Sequence, residues 1–289
     1  MESRLSSHEV DYIVEGIEND LREDGRSNCD YRHVQLQTGV LANTNGSAKL
    51  TLSGTRILVG IKAELTEPNA SNPDQGIIKF FVDCSAVAST EFEGRAGGED
   101  LGNSISDVLH KAYNHPNALN LSSLCLIPSQ QCWALNVDAL VLAHDGNLLD
   151  AISLAARAAL SDVKLPAVSV TEGSEGEPIE IEVSDDPNDC KEIDVSGVPV
   201  TVTLSKVKTS YVVDCTSKEE KCSNAYLTVS IDKSGSICSL TKGGGSGTLG
   251  VDMIADMIEV AKVVGLKLLN NLDEALKRKS TRKGHHGFL

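Results

Sequence analysis

The chain is poor in aromatic residues and in basic charge, with five Tyr, four Phe and one Trp, and 26 Lys and Arg against 41 Asp and Glu in 289 residues. So few aromatics argue against a stacking platform for single-stranded nucleic acid. The formal net charge of −15 argues against a surface that grips nucleic acid throughout, because such affinity comes mainly from neutralised phosphates. Any nucleic-acid contact has to be local. No apolar run approaches the roughly 20 residues of a membrane span, so no membrane partner is expected. The eight cysteines include no CxxC pair, and most lie in apolar or strand-like runs. They read as small core hydrophobes rather than a disulfide or zinc framework, and no metal or cofactor is expected. Residues 1–20, MESRLSSHEVDYIVEGIEND, show neither an apolar signal core nor an Arg-rich transit pattern, which implies a cytosolic or nuclear address.

The length suits two lobes. In residues 7–21, Val10, Ile13, Val14 and Ile17 recur at helical spacing among acids, with Ser6 or Ser7 placed to cap, which predicts a short amphipathic helix inside an N-terminal segment 1–22. Strands follow to Glu64, with Asp24-Gly25 and Asn45-Gly46 as turn dipeptides and the second in the position of a hairpin turn. A buried strand is expected at 77–86 and a helix at 98–113 with Leu101, Ile105, Val108 and Leu109 on one face. A hairpin (124–127 with 132–143) and a nearly all-apolar helix at 148–161 come next. Residues 171–194 carry ten acids against one Lys, the composition of a solvated linker. Strands at 198–207, 211–214, 225–231 and 236–240 and a long helix at 251–276 make a second lobe of the same kind. The result is an α+β chain with lobes at 23–170 and 195–276. Residues 277–289 have nothing to bury and read as a disordered basic tail.

Certain segments go beyond pattern. Asp24-Gly25-Arg26, Tyr31-Arg32, Asn45-Gly46-Ser47-Ala48, Thr55 and Ile61-Lys62-Ala63-Glu64 are followed in order by FEGRAGG (92–98), CWAL (132–135), DGNLLDA (145–151), VDCT (213–216) and Glu219-Glu220. Over residues 15–276 the chain resembles the RNase PH family. The resemblance implies a first lobe with a βαβ unit like that of ribosomal protein S5 domain 2, a smaller α/β second lobe, and an N-terminal helix and basic C-terminal tail outside them. It also implies a place in the six-membered ring of the RNA exosome. Partners would be other RNase PH-like ring subunits, cap subunits with S1 or KH domains, attached hydrolytic exoribonucleases, and single-stranded RNA threaded through the channel. The implied locations are nucleus, nucleolus and cytoplasm.

Active members of the family hold phosphate with an Arg pair or Thr-Arg at a helix start in the first lobe, and place two acids six residues apart in the second. Phosphorolysis needs both parts, because a cationic cradle must offset two meeting anions and an acid or metal must assist the leaving oxygen. Here DGNLLDA stands in place of the glycine-threonine-arginine segment. Aligning Glu219-Glu220 with the family's paired glutamates puts Lys221 and Leu227 where the acids belong, and Glu99 and Asp100 lie near where cations are needed. The expectation is a structural, non-catalytic ring subunit. A phosphate-dependent 3′–5′ exoribonuclease is the alternative.

Arg95 in a Gly-rich loop is the leading candidate for RNA phosphates in the channel, and a surface or interface arginine is the competing reading. His110 and Lys111 also suit the helix dipole. Lys277, Arg278, Lys279, Arg282 and Lys283 could form an RNA-contacting arm, an import signal or a solvated terminus. Asp138, His144 and Asp145 could be cast as an acid/base set but read better as a sheet-edge residue and a helix-capping turn. The literal GxGxxG at 245–250 has no βαβ unit after it and reads as a turn into the last helix.

Overall fold

The computed structural model describes residues 5–93, 95–171, 180–184, 186, 189–245, 247–279 and 286–288. The first lobe is built on a mixed sheet. Its strands are β1 (Val34–Thr38), β2 (Gly46–Leu52), β3 (Thr55–Thr66), β4 (Ile77–Cys84), β5 (Cys125–Ile127) and β6 (Gln131–Ala143). Strands β1, β2, β3 and β6 lie side by side and antiparallel, while β4 pairs with β6 in parallel. That parallel pair requires a crossover, and the intervening chain supplies it with α2 (Arg95–Tyr113). Gly98 and Gly102 let α2 lie flush on β4, since a Cβ at either would come 2.4 Å from Cys84 O or 2.3 Å from Val82 O.

Helix α3 (Leu148–Leu160) is the Ala-rich segment, and it serves both lobes. One side packs on β2 and β3, and the other on β11 of the second sheet. Beyond the short strands β7 (Lys164–Pro166), β8 (Val168–Thr171), β9 (Glu180–Val183) and β10 (Cys190–Glu192), that sheet comprises β11 (Val200–Val207), β12 (Ser210–Val213), β13 (Ala225–Ile231) and β14 (Ile237–Gly243) in the order β12-β11-β13-β14. Helix α5 (Val251–Lys279) covers its other face, with Gly265 against Val202 and Ile231. One continuous apolar cluster therefore runs from sheet to sheet through α3. The N-terminal helix α1 (Ser7–Glu18) has a complete capping box between Ser6 and Glu9 and buries Ile13, Val14 and Ile17 beside Val207, Val212 and Cys215. The two-lobed α+β class expected from the sequence is the class observed.

Four expectations are corrected. Asn45-Gly46 does not turn a hairpin: the tight turn between β2 and β3 is Ser53-Gly54. Asn45 instead ties sheet to loop, donating to Lys164 O at 3.2 Å and accepting from Ala63 N–H at 2.9 Å. The acidic segment 171–194 is more than a linker, because β8 pairs with β9 and β10 with β7. The tail is not wholly irregular, because α5 continues to Lys279 and β15 (His286–Phe288) pairs with the free edge of β1. An edge strand offers unpaired N–H and C=O groups to whatever extended chain reaches it. Arg282 and Lys283 lie outside the described residues. The fourth correction is α4 (Ser217–Cys222), a helix the hydrophobic pattern did not reveal. Its signal was the Thr216/Glu219 capping box, present as T-x-x-E.

Candidate functional site

A cleft of about 690 Å³ opens between the lobes. Its floor is the hydroxyl-bearing face of the second sheet, with Thr203, Ser205, Thr228, Thr241 and Tyr226. Strand alternation explains this face, because Val202, Leu204, Leu227 and Val229 point the other way into the core. Leu101, Ile105 and Val108 of α2 form one wall, and Asn147, Leu148 and Leu149 at the start of α3 form another. Glu91, His144, Glu220 and Lys242, with the Tyr226 phenol, supply the charged and titratable groups among the described lining residues.

Neither Lys221 nor Leu227, the positions set against the family's acids, lines the cleft. Leu227 is 1% exposed, opposite Leu204 on the core face, and does not line the cleft. Lys221 is exposed with its Nζ 2.6 Å from Glu91. The cleft-lining positions six apart are Glu220 and Tyr226. The two adjacent glutamates look equivalent in sequence but part company in α4. Glu219 turns into the protein to meet Arg22, whose Nε and Nη2 donate at 2.8 and 2.5 Å. Glu220 lines the cleft, and its carboxyl group accepts from Asn147 N–H at 2.7 Å. Burial of that carboxyl group pushes its pKa up to about 7, against the lowering effect of the Asn147 hydrogen bond and of Arg32. His144 is shifted down because burial disfavours its cation. Its ring lies 5.1 Å from that of Phe92.

Behind the cleft is a buried polar hub. Asp214, at φ +51, accepts from Arg32 N, Nε and Nη2 at 2.8, 2.9 and 2.8 Å, from Arg26 Nη1 at 3.1 Å and from Asn147 Nδ2 at 2.8 Å. Burial would raise its pKa, but the bidentate Arg32 guanidinium outweighs that and holds it below the usual carboxylate range. The hub welds the N-terminal segment, the Asp145–Asn147 turn and the second lobe. Asn147, at φ +57, is the N-cap of α3 without a side-chain capping bond. Asp145 therefore does not cap as expected, and lies 3.6 Å from Arg32. Asp138 is exposed on β6, away from the cleft.

Asp150 is fully buried in the first turn of α3. It accepts from Tyr31 Oη, from Thr203 N at 2.8 Å and from Thr203 Oγ1 at 2.8 Å. Burial pushes it up to about 6 despite these bonds. A folded-state value above the unfolded one, near 3.9, means that stability present at low pH is lost as pH rises through 6. Asn can keep the acceptor for Tyr31 and Thr203 N–H and donate to Thr203 Oγ1. The stability of Asp150→Asn relative to the unsubstituted chain is therefore expected to improve by roughly 2–3 kcal/mol between pH 4 and 7. Urea unfolding at several pH values checks this, and a pH-independent difference would contradict it.

The RNA candidates are not brought together. Arg95 starts α2 rather than sitting in a loop, and its side chain lies outside the described residues. His110 and Lys111 occupy the last turn of the same helix, exposed, roughly 22 Å along its axis. Neither lines the cleft. Lys277 and Arg278 are exposed at the end of α5, and Arg278 pairs with Glu274 at 3.2 Å. The side chain of Lys279 lies outside the described residues. Sequence reasoning named Glu220 only as one of a glutamate pair and missed Tyr226, for which the alternation of β13 was the available signal.

Two lobes sharing a central helix, with a hydroxyl-floored cleft between them, define a chain of the RNase PH type. The chain belongs to the 3′ exoribonuclease family, whose domain 1 matches residues 30–166 and whose domain 2 matches residues 197–264. It is 38% identical to the RRP42 protein of Dictyostelium discoideum over 95% of this chain and 98% of that one. It is 34% identical to the exosome complex component Rrp42 of Thermococcus kodakarensis, covering 93% of this chain and 95% of the relative. Among solved structures it is similar to a chain of the Archaeoglobus fulgidus exosome with RNA bound to the active site. That match has a TM-score of 0.75 and 28% identity, covering 90% of this chain and 96% of that one. An archaeal exosome core chain matches with a TM-score of 0.72 and 26% identity.

Proposed function

We propose that this chain is a non-catalytic subunit of an exosome core ring. Its work is to complete the ring and contribute part of the wall of the channel that leads single-stranded RNA to associated 3′–5′ exoribonucleases. Its neighbours would be other RNase PH-like subunits and S1/KH cap subunits, in the nucleus, nucleolus and cytoplasm. The observation that carries this reading is the cleft. Where phosphorolysis calls for a second acid six residues from the first, Tyr226 follows Glu220, and where the resemblance calls for Thr-Arg at the helix start, Leu148 and Leu149 stand. A leucine pair cannot offset the charge of an incoming phosphate. One carboxyl group without a second acid beside it is also a weak metal site. Arg95 remains the first candidate for a channel contact, with His110 and Lys111 after it.

Incubating the purified chain with labelled single-stranded RNA, phosphate and Mg²⁺ is expected to release no nucleoside diphosphate. Release would favour the phosphorolytic exoribonuclease. Native mass measurement after co-expression with related ring subunits is expected to recover the chain in a hetero-oligomer. Recovery only as a free monomer would count against the ring role.

A further inference from the structure

We propose that Cys125 and Cys132 form a reversible cross-strand disulfide, a thiol-redox site at the end of the first sheet. Among the described residues they are the one pair of cysteines set directly opposite each other on neighbouring strands, in the antiparallel pairing of β5 with β6. Directly opposed residues of an antiparallel ladder have Cα atoms about 4.5 to 5.5 Å apart and side chains on the same face. That separation falls within the roughly 4.4 to 6.8 Å spanned by disulfides. The surroundings favour closure as well. Strand β5 is only three residues long and its register with β6 shifts just beyond the pair, so this corner of the sheet can adjust where a long regular ladder could not.

The two thiols are unequal in access. Cys125 is half-buried while Cys132 is fully buried. Burial, and then the neighbouring Cys125, shift the Cys132 thiol above its ordinary value. Cys125 is therefore the first to react. Its thiolate attacks one sulfur of glutathione disulfide, forming a mixed disulfide and releasing one glutathione thiolate. The Cys132 thiolate then attacks Cys125 Sγ and expels the second glutathione. The two protein thiols are oxidised, one glutathione disulfide is reduced to two glutathiones, and the two protons go to the leaving thiolates. Reduced glutathione reverses both steps. The bond would fasten the hairpin whose loop meets the 67–76 segment through Ser129 N–H and Pro73 O, at 2.7 Å.

The test uses the folded full-length chain, equilibrated in glutathione buffers of graded ratio, quenched with iodoacetamide and digested with trypsin. Both cysteines fall in the peptide 112–157, which contains no internal Lys or Arg. As oxidised glutathione increases, this peptide is expected to appear unalkylated and lighter than its reduced, unalkylated mass by two hydrogens, about 2 Da, and to revert on reduction. Cys125→Ser is expected to abolish the lighter species. Recovery of the peptide with both cysteines alkylated throughout, or with glutathione retained on Cys125 alone, would overturn the proposal. Persistence of the lighter species in Cys125→Ser would also overturn it.

Discussion

Asp214→Ala is expected to lower the melting temperature by about 10 °C, through a loss of roughly 3–5 kcal/mol. The carboxylate is fully buried and receives five hydrogen bonds from three residues. Its removal leaves the Arg32 guanidinium, itself buried, without its bidentate partner, and frees Asn147 Nδ2. Arg32 would keep only the longer Asp145 contact at 3.6 Å and its backbone carbonyl acceptors, and a buried cation left short of its counter-charge is what makes such a break costly, rather than the net worth of the pair. Because its folded-state pKa is depressed, the stability Asp214 contributes is present above the unfolded value near 3.9 and disappears as pH falls through the folded value. The difference between variant and unsubstituted chain should accordingly shrink on acidification. Glu91→Ala breaks the Lys221 pair, in which both side chains are about one-third exposed, and should cost about 1 kcal/mol or less. Thermal melts of both variants across pH decide the point. An Asp214→Ala chain melting within 2 °C of the unsubstituted one would mean that the hub does not hold the lobes together.

That hub also shows what can and cannot be read from a one-dimensional string. The strands and long helices were legible because period 2 and period 3.6 patterns are local. Leu101, Ile105 and Leu109 do face inward on α2, and the runs predicted at 198–207 and 225–231 hold β11 and β13. The recognisable stretches around Arg26, Tyr31-Arg32, Asn147 and Asp214 were legible as a family signature without their mutual contacts being visible. The partners lie as far as 188 residues apart along the chain, as Arg26 and Asp214 do, and ion pairing between distant charges leaves no periodic trace. Which residues line the cleft was not legible for a related reason. Glu219 and Glu220 are chemically identical, and only the capping box, which draws Glu219 toward Thr216 N–H and Arg22, tells them apart. In a strand neighbouring residues face opposite ways, so Leu227 lies in the core while Tyr226 lines the cleft.

Arg157→Met should cost about 2–4 kcal/mol and weaken both lobes together. Arg157 is 1% exposed near the end of α3. Its Nη1 donates to the carbonyl oxygens of Val195 and Val198, where the chain enters the second lobe, and its Nη2 donates to Asp273 of α5 at 3.0 Å. Met retains much of the apolar packing of the stem but supplies no donor. Val195 O keeps its bond from Val198 N–H, and Asp273 keeps Lys233 at 2.8 Å, so the principal loss falls on Val198 O and on one side of the Asp273 carboxylate. Arg157→Lys should recover part of the loss, since one ammonium cannot reproduce the reach of a planar guanidinium toward both partners. The apolar cluster is continuous through α3, so urea unfolding should remain a single transition in the variant, followed alike by hydrogen exchange in β2–β3 and in β11–β13. Two separated transitions would show that the lobes unfold independently and that α3 does not join them into one cooperative unit. A single early transition would mean that the buried arginine sets the stability of the whole frame on which the cleft is built.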